Sequence, residues 1–287
     1  MNGRPDYLQP AALADRALYA PLSGLLRATG DRLPSLVQLN GLIEAHAAGL
    51  TSGQGASVRF VPPGRKDLPY EHAVFASGEV ATRSDNWHDY FNALVWAAFP
   101  RAKAALNARH MHELGRARLA GASARGAVRD ALTQFDECGM VVVGTAPGLF
   151  RALAQHQWET VLWTARKRLM SSSRFLLFGH ASYDQLRTPF GGLCAKALYL
   201  VVPKTIFQRP FEVLMAHVDA WLAQLFGDTS TALAPSAFAP LPLLGIPGVA
   251  RENAVRAYYA DARQFRPLGR RTPAPVHLWS GAAVEAL

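Results

Sequence analysis

Cysteine, acidic residues and long apolar runs are all scarce in this chain of 287 residues. Its two cysteines, Cys138 and Cys194, form no CxxC motif and lie close to apolar runs. They are predicted to be reduced core residues rather than a disulfide framework. No segment reaches the roughly 18 uninterrupted apolar residues that a membrane span needs, and charged residues from Arg4 to Arg16 occupy the place of a signal peptide's apolar stretch. We therefore expect a cytoplasmic protein without a membrane span.

Several familiar signatures are also missing. The sequence contains no GxxxxGK[ST] loop, no GxGxxG after a strand, no GxSxG elbow and no HExxH motif, so the enzyme classes that these motifs mark are not indicated. There is no internal repeat, and no Ser-rich, Gly-rich or like-charged linker divides the middle of the chain.

The composition allows one large core, because 50% of the residues are hydrophobic. The formal net charge is +9, and arginine, which outnumbers lysine, suits contact with phosphate or carboxylate groups. The basic residues are dispersed, which is more typical of a solubility feature than of a nucleic-acid footprint. The composition therefore predicts a basic protein and is compatible with an anionic partner.

The first third of the chain reads as helices followed by strands. Helical spacing from Tyr7 to Leu50 predicts a helical arm, with Pro21 and Pro34 placed where helices start. Ser57 to Val61 and Tyr70 to Val80 are rich in β-branched and aromatic residues, which predicts two strands paired as a hairpin. Two further helices, Asn86 to Phe99 and Arg101 to Leu119, should be separated at Pro100, the alternative being one kinked helix.

The rest interleaves strands and helices. Buried strands are predicted at Met140 to Gly144 and Ala197 to Val202, and a further strand at Arg174 to Phe178. Helices are predicted at Pro147 to Gln157, Glu159 to Leu169, Tyr183 to Leu186 and Phe211 to Phe226. Ala234 to Val249 is rich in Pro and Gly and should form an extended strap, with a last helix at Arg251 to Tyr259 and poor order after Arg266. This order predicts a single α/β domain with a mixed sheet: a helical arm at 1–54, a core at 55–233, and a strap and tail at 234–287.

One polar cluster stands out near Pro100. His88 and Asn92 share a helical face, which Trp96 continues, and Lys103, Asn107 and His110 share a face of the next helix. If the two helices are antiparallel, His110 to Glu113 lie level with His88 and Asp89. Imidazole, carboxylate and carboxamide groups between two helices would suit a divalent metal or acid/base chemistry. Structural hydrogen bonding of these histidines is the competing interpretation.

Two more polar positions could join this cluster. Asp136 and Glu137 precede the buried strand at Met140, although acidic residues there also cap turns and pair with arginines such as Arg129. His180 follows the strand ending at Phe178. Ligands gather at the carboxyl ends of strands in open α/β sheets, which favours His180 and also Gly144-Thr145.

The chain resembles a proteobacterial family named domain of unknown function 3025. The resemblance covers about residues 70 to 266 and rests on four stretches: Asp85-Asn86-Trp87-His88-Asp89-Tyr90-Phe91-Asn92-Ala93-Leu94-Val95-Trp96 continuing through Phe99-Pro100-Arg101-Ala102-Lys103; Arg129-Asp130-Ala131-Leu132-Thr133 with Phe135-Asp136-Glu137; Phe178-Gly179-His180; and Pro240-Leu241-Pro242 with Gly245-Ile246-Pro247-Gly248. The resemblance implies a single domain. Its motifs coincide with the polar positions above, which favours their convergence on one site.

The leading hypothesis is metal-assisted hydrolysis of a small anionic, phosphoester-like substrate. Metal ligands are expected among His88, Asp89, His110, Asp136 and Glu137. Catalytic groups are expected among His88, Asp89, Asn92 and His180, and substrate contacts among Lys103, Arg129 and Trp87.

Two rival hypotheses belong to other classes. A module binding RNA or another polyanion would use the dispersed arginines and stack bases on Trp87, Tyr90, Trp158 and Trp163. A structural partner protein would use the strap as its contact. The enzyme hypothesis requires His88 to lie near Asp136 and Glu137 in space.

Overall fold

A computed structural model describes residues 9–64, 69–121 and 126–280. The first part is helical, as expected, with α1 (Pro10–Leu13), a 3-10 helix (Ala17–Leu22), α2 (Ser23–Thr29) and α3 (Leu36–His46). Ser35 and Gln38 form a reciprocal capping box that sets the start of α3. Pro34 immediately precedes this cap, whereas Pro21 lies inside the 3-10 helix and does not begin a helix.

The predicted hairpin is wrong. Its second half is mostly α4 (Tyr70–Ser77), and the short strands β1 (Arg59–Val61) and β2 (Glu79–Ala81) pair in parallel. Parallel neighbours need a crossover, which α4 supplies. Gly78 ends α4 with φ of 69°, and a Cβ on it would lie 2.2 Å from the carbonyl oxygen of Ser57. Only glycine allows this close crossing.

The break at Pro100 is confirmed. α5 (Trp87–Ala98) and α6 (Pro100–Leu119) meet at Phe99, which is not helical, and Pro100 takes the first position of α6. Asn86 caps α5 by accepting a hydrogen bond from the backbone N–H of Asp89 at 3.0 Å. The next helix, α7 (Ala127–Cys138), runs directly into the main sheet.

The main sheet is mixed and has five strands: β3 (Gly139–Gly144), β4 (Ser173–Leu177), β5 (Cys194–Val201), β6 (Ala239–Pro242) and β7 (Val276–Leu278). β3 lies between antiparallel β4 and parallel β5. β6 and β7 share the far side of β5, β6 antiparallel along its first half and β7 parallel along its second half. The three predicted strands are confirmed.

Both strands on that far side differ from expectation. β6 forms inside the Pro-rich strap, and its two prolines are tolerated because it lies on the outside of β5. Residues 267–280 were expected to be poorly ordered, yet they include β7, and the N–H of Trp279 donates to the carbonyl of Val201 at 2.9 Å. The predicted helix at Arg251 to Tyr259 is instead two 3-10 helices, Glu252–Ala254 and Arg256–Ala260.

The remaining helices cover the sheet. They are α8 (Pro147–Ala154), a π-helix (Glu159–Thr164), α9 (Arg166–Ser172), α10 (His180–Gln185), α11 (Lys204–Phe207) and α12 (Phe211–Gly227). β3 is buried along its whole length, and the apolar core joins the arm, the sheet and α12 in one cluster. The fold is therefore mixed α/β, as predicted.

Two further expectations can be compared with the structure. Cys138 and Cys194 are free, as expected, but half-buried rather than fully in the core. Among the helices of residues 9–64, 69–121 and 126–280, none combines the length and apolar character that crossing a membrane requires.

Candidate metal centre

The site forms where α7 passes into β3, beside the turn that follows β4. The antiparallel register pairs Met140 with Leu177, so residues 178–180 lie beside residues 137–139. The N–H groups of Phe178 and Gly179 both donate to the carbonyl of Gly139, at 2.9 and 2.8 Å. A Cβ on Gly179 would lie 2.3 Å from the Cα of Cys138. Glycine therefore lets the turn approach α7 closely enough to bring His180 to the acidic residues.

The expectation that Gly144-Thr145 would share this site is wrong. β3 and β4 are antiparallel, so the end of β4 lies beside the beginning of β3. Gly144, at the end of β3, pairs with Ser173 at the opposite end of the two strands. The rule about carboxyl ends applies to neighbouring parallel strands. The sequence did not reveal the direction in which these two strands pair.

His88, Glu137 and His180 bring three ligand atoms together, all within 4.8 Å of one another. The Nε2 atoms of His88 and His180 are 3.1 Å apart, and His180 Nε2 is 3.7 Å from a carboxylate oxygen of Glu137. Ligand atoms about 2.1 Å from a metal ion are about 3.4 Å apart in tetrahedral geometry and about 3.0 Å apart in neighbouring octahedral positions. The spacing of these side chains therefore fits a divalent cation.

The protonation of His180 also suits a ligand. Burial lowers its pKa to about 4, against the opposing influence of the Asp136 carboxylate. A neutral imidazole is the form that binds metals, so His180 is ready to coordinate at neutral pH. Burial, followed by the neighbouring Asp136, raises the pKa of Glu137 above its ordinary value, and a cation at this position would favour its charged form.

Asp136 lies behind His180 and is held by Lys103. The Lys103 Nζ donates to Asp136 Oδ1 at 2.6 Å and to the Asn92 side-chain oxygen at 2.9 Å, and it lies 5.3 Å from the centre of the Trp96 ring. Burial alone would raise the pKa of Asp136, but Lys103 and then His180 bring it below the ordinary value. Asp136 Oδ1 is 4.0 Å from His180 Nδ1, on the ring side away from Glu137. This distance is longer than a hydrogen bond, so the carboxylate acts on the imidazole through its charge.

Asp89 lies at the wall of the same pocket, but its carboxylate already has a partner. Arg83 donates to it from the backbone N–H at 2.7 Å and from two guanidinium nitrogens at 2.9 Å. Burial alone would raise the pKa of Asp89, and these Arg83 contacts lower it below its ordinary value. The geometry thus ties Asp89 to Arg83, and the ligand atoms that cluster belong to the other three residues.

The pocket has a volume of about 400 Å³. Its lining comprises Pro63, Tyr70, Glu71, Ala81, Arg83, His88, Asp89, Asn92, His110, Thr133, Asp136, Glu137 and His180. Seven of the residues expected from the sequence therefore line one pocket: His88, Asp89, Asn92, His110, Asp136, Glu137 and His180. His110 faces the pocket from α6, in agreement with the register expected for the two helices.

Two site residues, Tyr70 and Glu71, were missed because Tyr70 to Val80 was read as a strand. Glu71 lines the pocket and accepts a hydrogen bond from Asn107 Nδ2 at 2.6 Å. Asn92 donates to the Tyr70 hydroxyl at 3.0 Å. Burial, then Asp136, raises the pKa of Glu71 above its ordinary value. A helical reading, with Glu71 in the first turn, would have pointed to these residues.

The three residues that were expected to contact substrate, Lys103, Arg129 and Trp87, are not part of the pocket lining. Lys103 is only 3% exposed and lies beneath the pocket. Arg129 is half-buried, and its charge acts on Glu71 without lining the pocket. Trp87 packs on Phe91 and carries the Arg187 guanidinium 4.1 Å above its ring, also outside the lining.

Comparison with known proteins agrees with the resemblance seen in the sequence. A family model described as "Protein of unknown function (DUF3025)" matches residues 58–270. No curated protein and no solved structure matches the chain. The matched segment contains every residue of the polar pocket.

Proposed function

The chain belongs to the DUF3025 family, and we propose that it is a metal-dependent hydrolase acting on a small anionic, phosphoester-like substrate. The observation that carries the proposal is the clustering of His88 Nε2, His180 Nε2 and a Glu137 carboxylate oxygen within 4.8 Å. Three protein ligands of this type leave coordination positions for water and substrate, as in catalytic rather than structural sites.

A bound divalent ion would supply Lewis acidity and would make water a stronger acid. The residues around it have separable roles. Asp136 would act on the His180 imidazole through its charge, 4.0 Å from Nδ1, and Lys103 keeps Asp136 charged while Asn92 fixes the lysine. Because Lys103 is buried and fully engaged, we assign it a positioning role and not contact with substrate.

Glu71 is the candidate for proton transfer. Burial and then Asp136 raise its pKa above the ordinary value, which favours the protonated carboxyl group that a proton donor needs. Asn107 donates to one of its oxygens and fixes its orientation. Attack of water on the phosphorus of a substrate in the pocket would form the new P–O bond and release a proton to solvent, and the Glu71 proton would go to the leaving oxygen as the ester bond breaks.

The charge of the pocket supports an anionic substrate only when a cation is bound. Four carboxyl groups line the pocket, those of Glu71, Asp89, Asp136 and Glu137. Among the described residues, Arg83 is the one basic side chain, counting lysine and arginine, that lines it. Asp89 is paired with Arg83 and Asp136 with Lys103, so these residues leave no surplus of positive charge to attract an anion. With a divalent ion present, Arg83, which is 59% exposed at its side chain, and the ion would together attract it.

Metal retention tests the proposal directly. The purified chain is incubated separately with Zn²⁺ and Mn²⁺, freed of excess by gel filtration and analysed for bound metal. We expect about one ion per chain for the wild type, a loss of at least tenfold in affinity for His88→Ala and Glu137→Gln, and wild-type retention for His46→Ala, which removes an exposed histidine of α3. Hydrolysis of p-nitrophenyl phosphate should follow the same order.

Two outcomes would contradict this prediction. Equal retention by the wild type and His88→Ala would remove the metal role, provided circular dichroism shows that both are folded. Tight binding with no hydrolysis of any phosphoester would leave a metal site and remove the proposed reaction.

The RNA hypothesis remains a prediction, but two of its four stacking rings are inaccessible. Tyr90 is 3% exposed and Trp158 is 5% exposed, and the Trp158 Nε1–H donates to the carbonyl of Arg266 at 2.8 Å. Trp87 is covered on one face by Arg187, and Trp163 has Arg166 at 5.1 Å. RNA binding through these rings would require them to move.

A further inference from the structure

A second concave region, which we call the basic groove, lies apart from the metal centre. It consists of two adjoining hollows of about 760 and 680 Å³, which share His156, Pro240, Leu268 and Arg271. None of its lining residues lines the polar pocket. Its walls come from the end of α8, from β5 and β6, and from the segment that leads into β7.

The charge of this groove has one sign. Its lining includes Lys196, Arg263, Arg266, Arg270 and Arg271, and no aspartate or glutamate of the described chain joins them. Arg263 pairs with Asp261 outside the lining, at 3.0 Å. For Lys196, Arg270 and Arg271, no ion pair to a carboxylate exists within the described residues. Positive charges that line one concave surface raise the local concentration of anions.

Lys196 is the most informative of these residues. It lies inside β5, between Gly139 of β3 and Pro240 of β6, and is half-buried. A lysine inside a sheet normally has an acidic partner, because removing its charge from water is costly. Lys196 lines the larger of the two hollows. An anion from outside the chain would supply the missing partner.

The arginine segment is held in place by aromatic residues. His156 Nδ1 and Trp158 Nε1 both donate to the carbonyl oxygen of Arg266, at 2.9 and 2.8 Å, and the two rings lie 4.6 Å apart. His156 adopts φ of 58°, a left-handed conformation that is uncommon for a residue other than glycine. Such strain persists where the surroundings enforce it, and it is common at binding sites.

We propose that the basic groove binds a small organic phosphate carrying at least two negative charges, such as a nucleoside diphosphate. The phosphates would lie against Arg270, Arg271 and Lys196, where guanidinium groups can bind them in bidentate fashion. The uncharged moiety would lie against Phe238, Pro240 and Leu268 in the larger hollow, which Lys196 and Arg271 also line. Each hollow has the size of a site for a small molecule. This site is independent of the metal centre.

The test measures thermal stability and calorimetric binding of the full chain at constant ionic strength, in EDTA so that the metal centre takes no part. The probes are sodium pyrophosphate, ADP and adenosine. We expect pyrophosphate and ADP to raise the melting temperature of the wild type and to bind it, while adenosine does neither. Arg271→Ala should weaken ADP binding by about tenfold or more, because hydrogen bonds between charged groups are involved.

Lys196→Met separates a binding role from a structural one. Without anions this variant should melt at the wild-type temperature or above it, since an unpaired half-buried charge has been removed. Its stabilisation by pyrophosphate should be largely lost. Arg209→Ala, which removes an exposed arginine that lines neither hollow, should respond as the wild type does.

Three results would overturn the proposal. The first is a wild type that pyrophosphate and ADP do not stabilise. The second is equal stabilisation of the wild type and Lys196→Met. The third is binding of single-stranded RNA with a steep salt dependence in the absence of ADP binding, which would make the groove a site for a polymer.

Discussion

The contribution of an ion pair to the stability of this protein depends on the exposure of its two side chains more than on the distance between them. Lys103 and Arg27 each form an ion pair with an N–O distance of 2.6 Å, to Asp136 and to Asp15. The first pair is 3% and 15% exposed, and the second is 57% and 84% exposed. Water screens the exposed pair, whereas removing one partner of the buried pair leaves a charge without compensation.

These two pairs provide a matched prediction. Lys103→Met should lower the free energy of unfolding by roughly 3 kcal/mol, because Asp136 would remain buried beneath the pocket. Arg27→Met should change it by less than about 1 kcal/mol. Urea denaturation at pH 7 measures both. Equal losses in the two variants would show that burial does not distinguish the pairs.

At the level of the elements, two helices begin by different means. Asn86 caps α5 locally, three residues from the N–H that it binds. α6 begins at Pro100, and the backbone N–H groups of Arg101 and Ala102 in its first turn donate to the Asp219 carboxylate of α12, at 3.1 and 2.8 Å. The local cap is visible in the sequence, whereas the cap from α12 exists only because the two helices pack together.

The long-range cap predicts a dependence on pH. Burial raises the pKa of Asp219 from 3.8 to about 6, although the two backbone N–H groups oppose the shift. Between about pH 4 and 6 the folded state therefore keeps a proton that the unfolded state has lost. Stability should fall as pH rises through this range, by about 3 kcal/mol. Asp219→Asn cannot titrate and should not show this component.

The comparison is made by urea denaturation of the wild type and Asp219→Asn at pH 4.5, 5.5 and 7.0. Other titrating groups act on both proteins, so the difference between their unfolding free energies isolates Asp219. A difference that stays constant over this range would show that the carboxyl group keeps an ordinary pKa.

At the level of the whole molecule, the sheet is completed by the last described part of the chain. β7 covers the second half of β5, and it brings His277 and Trp279 against α12, with ring centres 5.4 Å from Trp221 and 5.7 Å from His217. Without β7 the backbone groups of β5 at that edge would be unpaired. An open edge beside apolar side chains also invites association with other chains.

A truncation tests this role. A chain ending at residue 275 should lose several kcal/mol of stability, the scale expected for exposing buried apolar side chains and unpaired backbone groups. It should also associate at concentrations where the longer protein does not. A chain ending at residue 280 retains β7 and is the control. Thermal denaturation and gel filtration measure the effects, and indistinguishable behaviour of the two chains would contradict the role of β7.

Local rules predicted several of the helices and strands around the pocket correctly. Asn86 and Pro100 marked helix starts, and His88 and Asn92 shared a face because of the helical period alone. The apolar runs at Met140 and Ala197 indicated buried strands. Glu71 was missed because a short segment of aromatic and β-branched residues satisfies both the strand and the helix pattern. Lys196 drew no attention, since nothing in the sequence shows that a lysine lacks an acidic neighbour.

The sequence by itself determined the breaks, caps and buried runs, because these depend on contacts within a few residues. It also determined which polar groups were available for a site. Only the tertiary structure decided that β4 runs antiparallel to β3. This direction brings His180 to Glu137 and leaves Gly144 at the other end of β3. Strand direction and helix packing depend on contacts between residues far apart in the chain, and several arrangements satisfy the same local preferences.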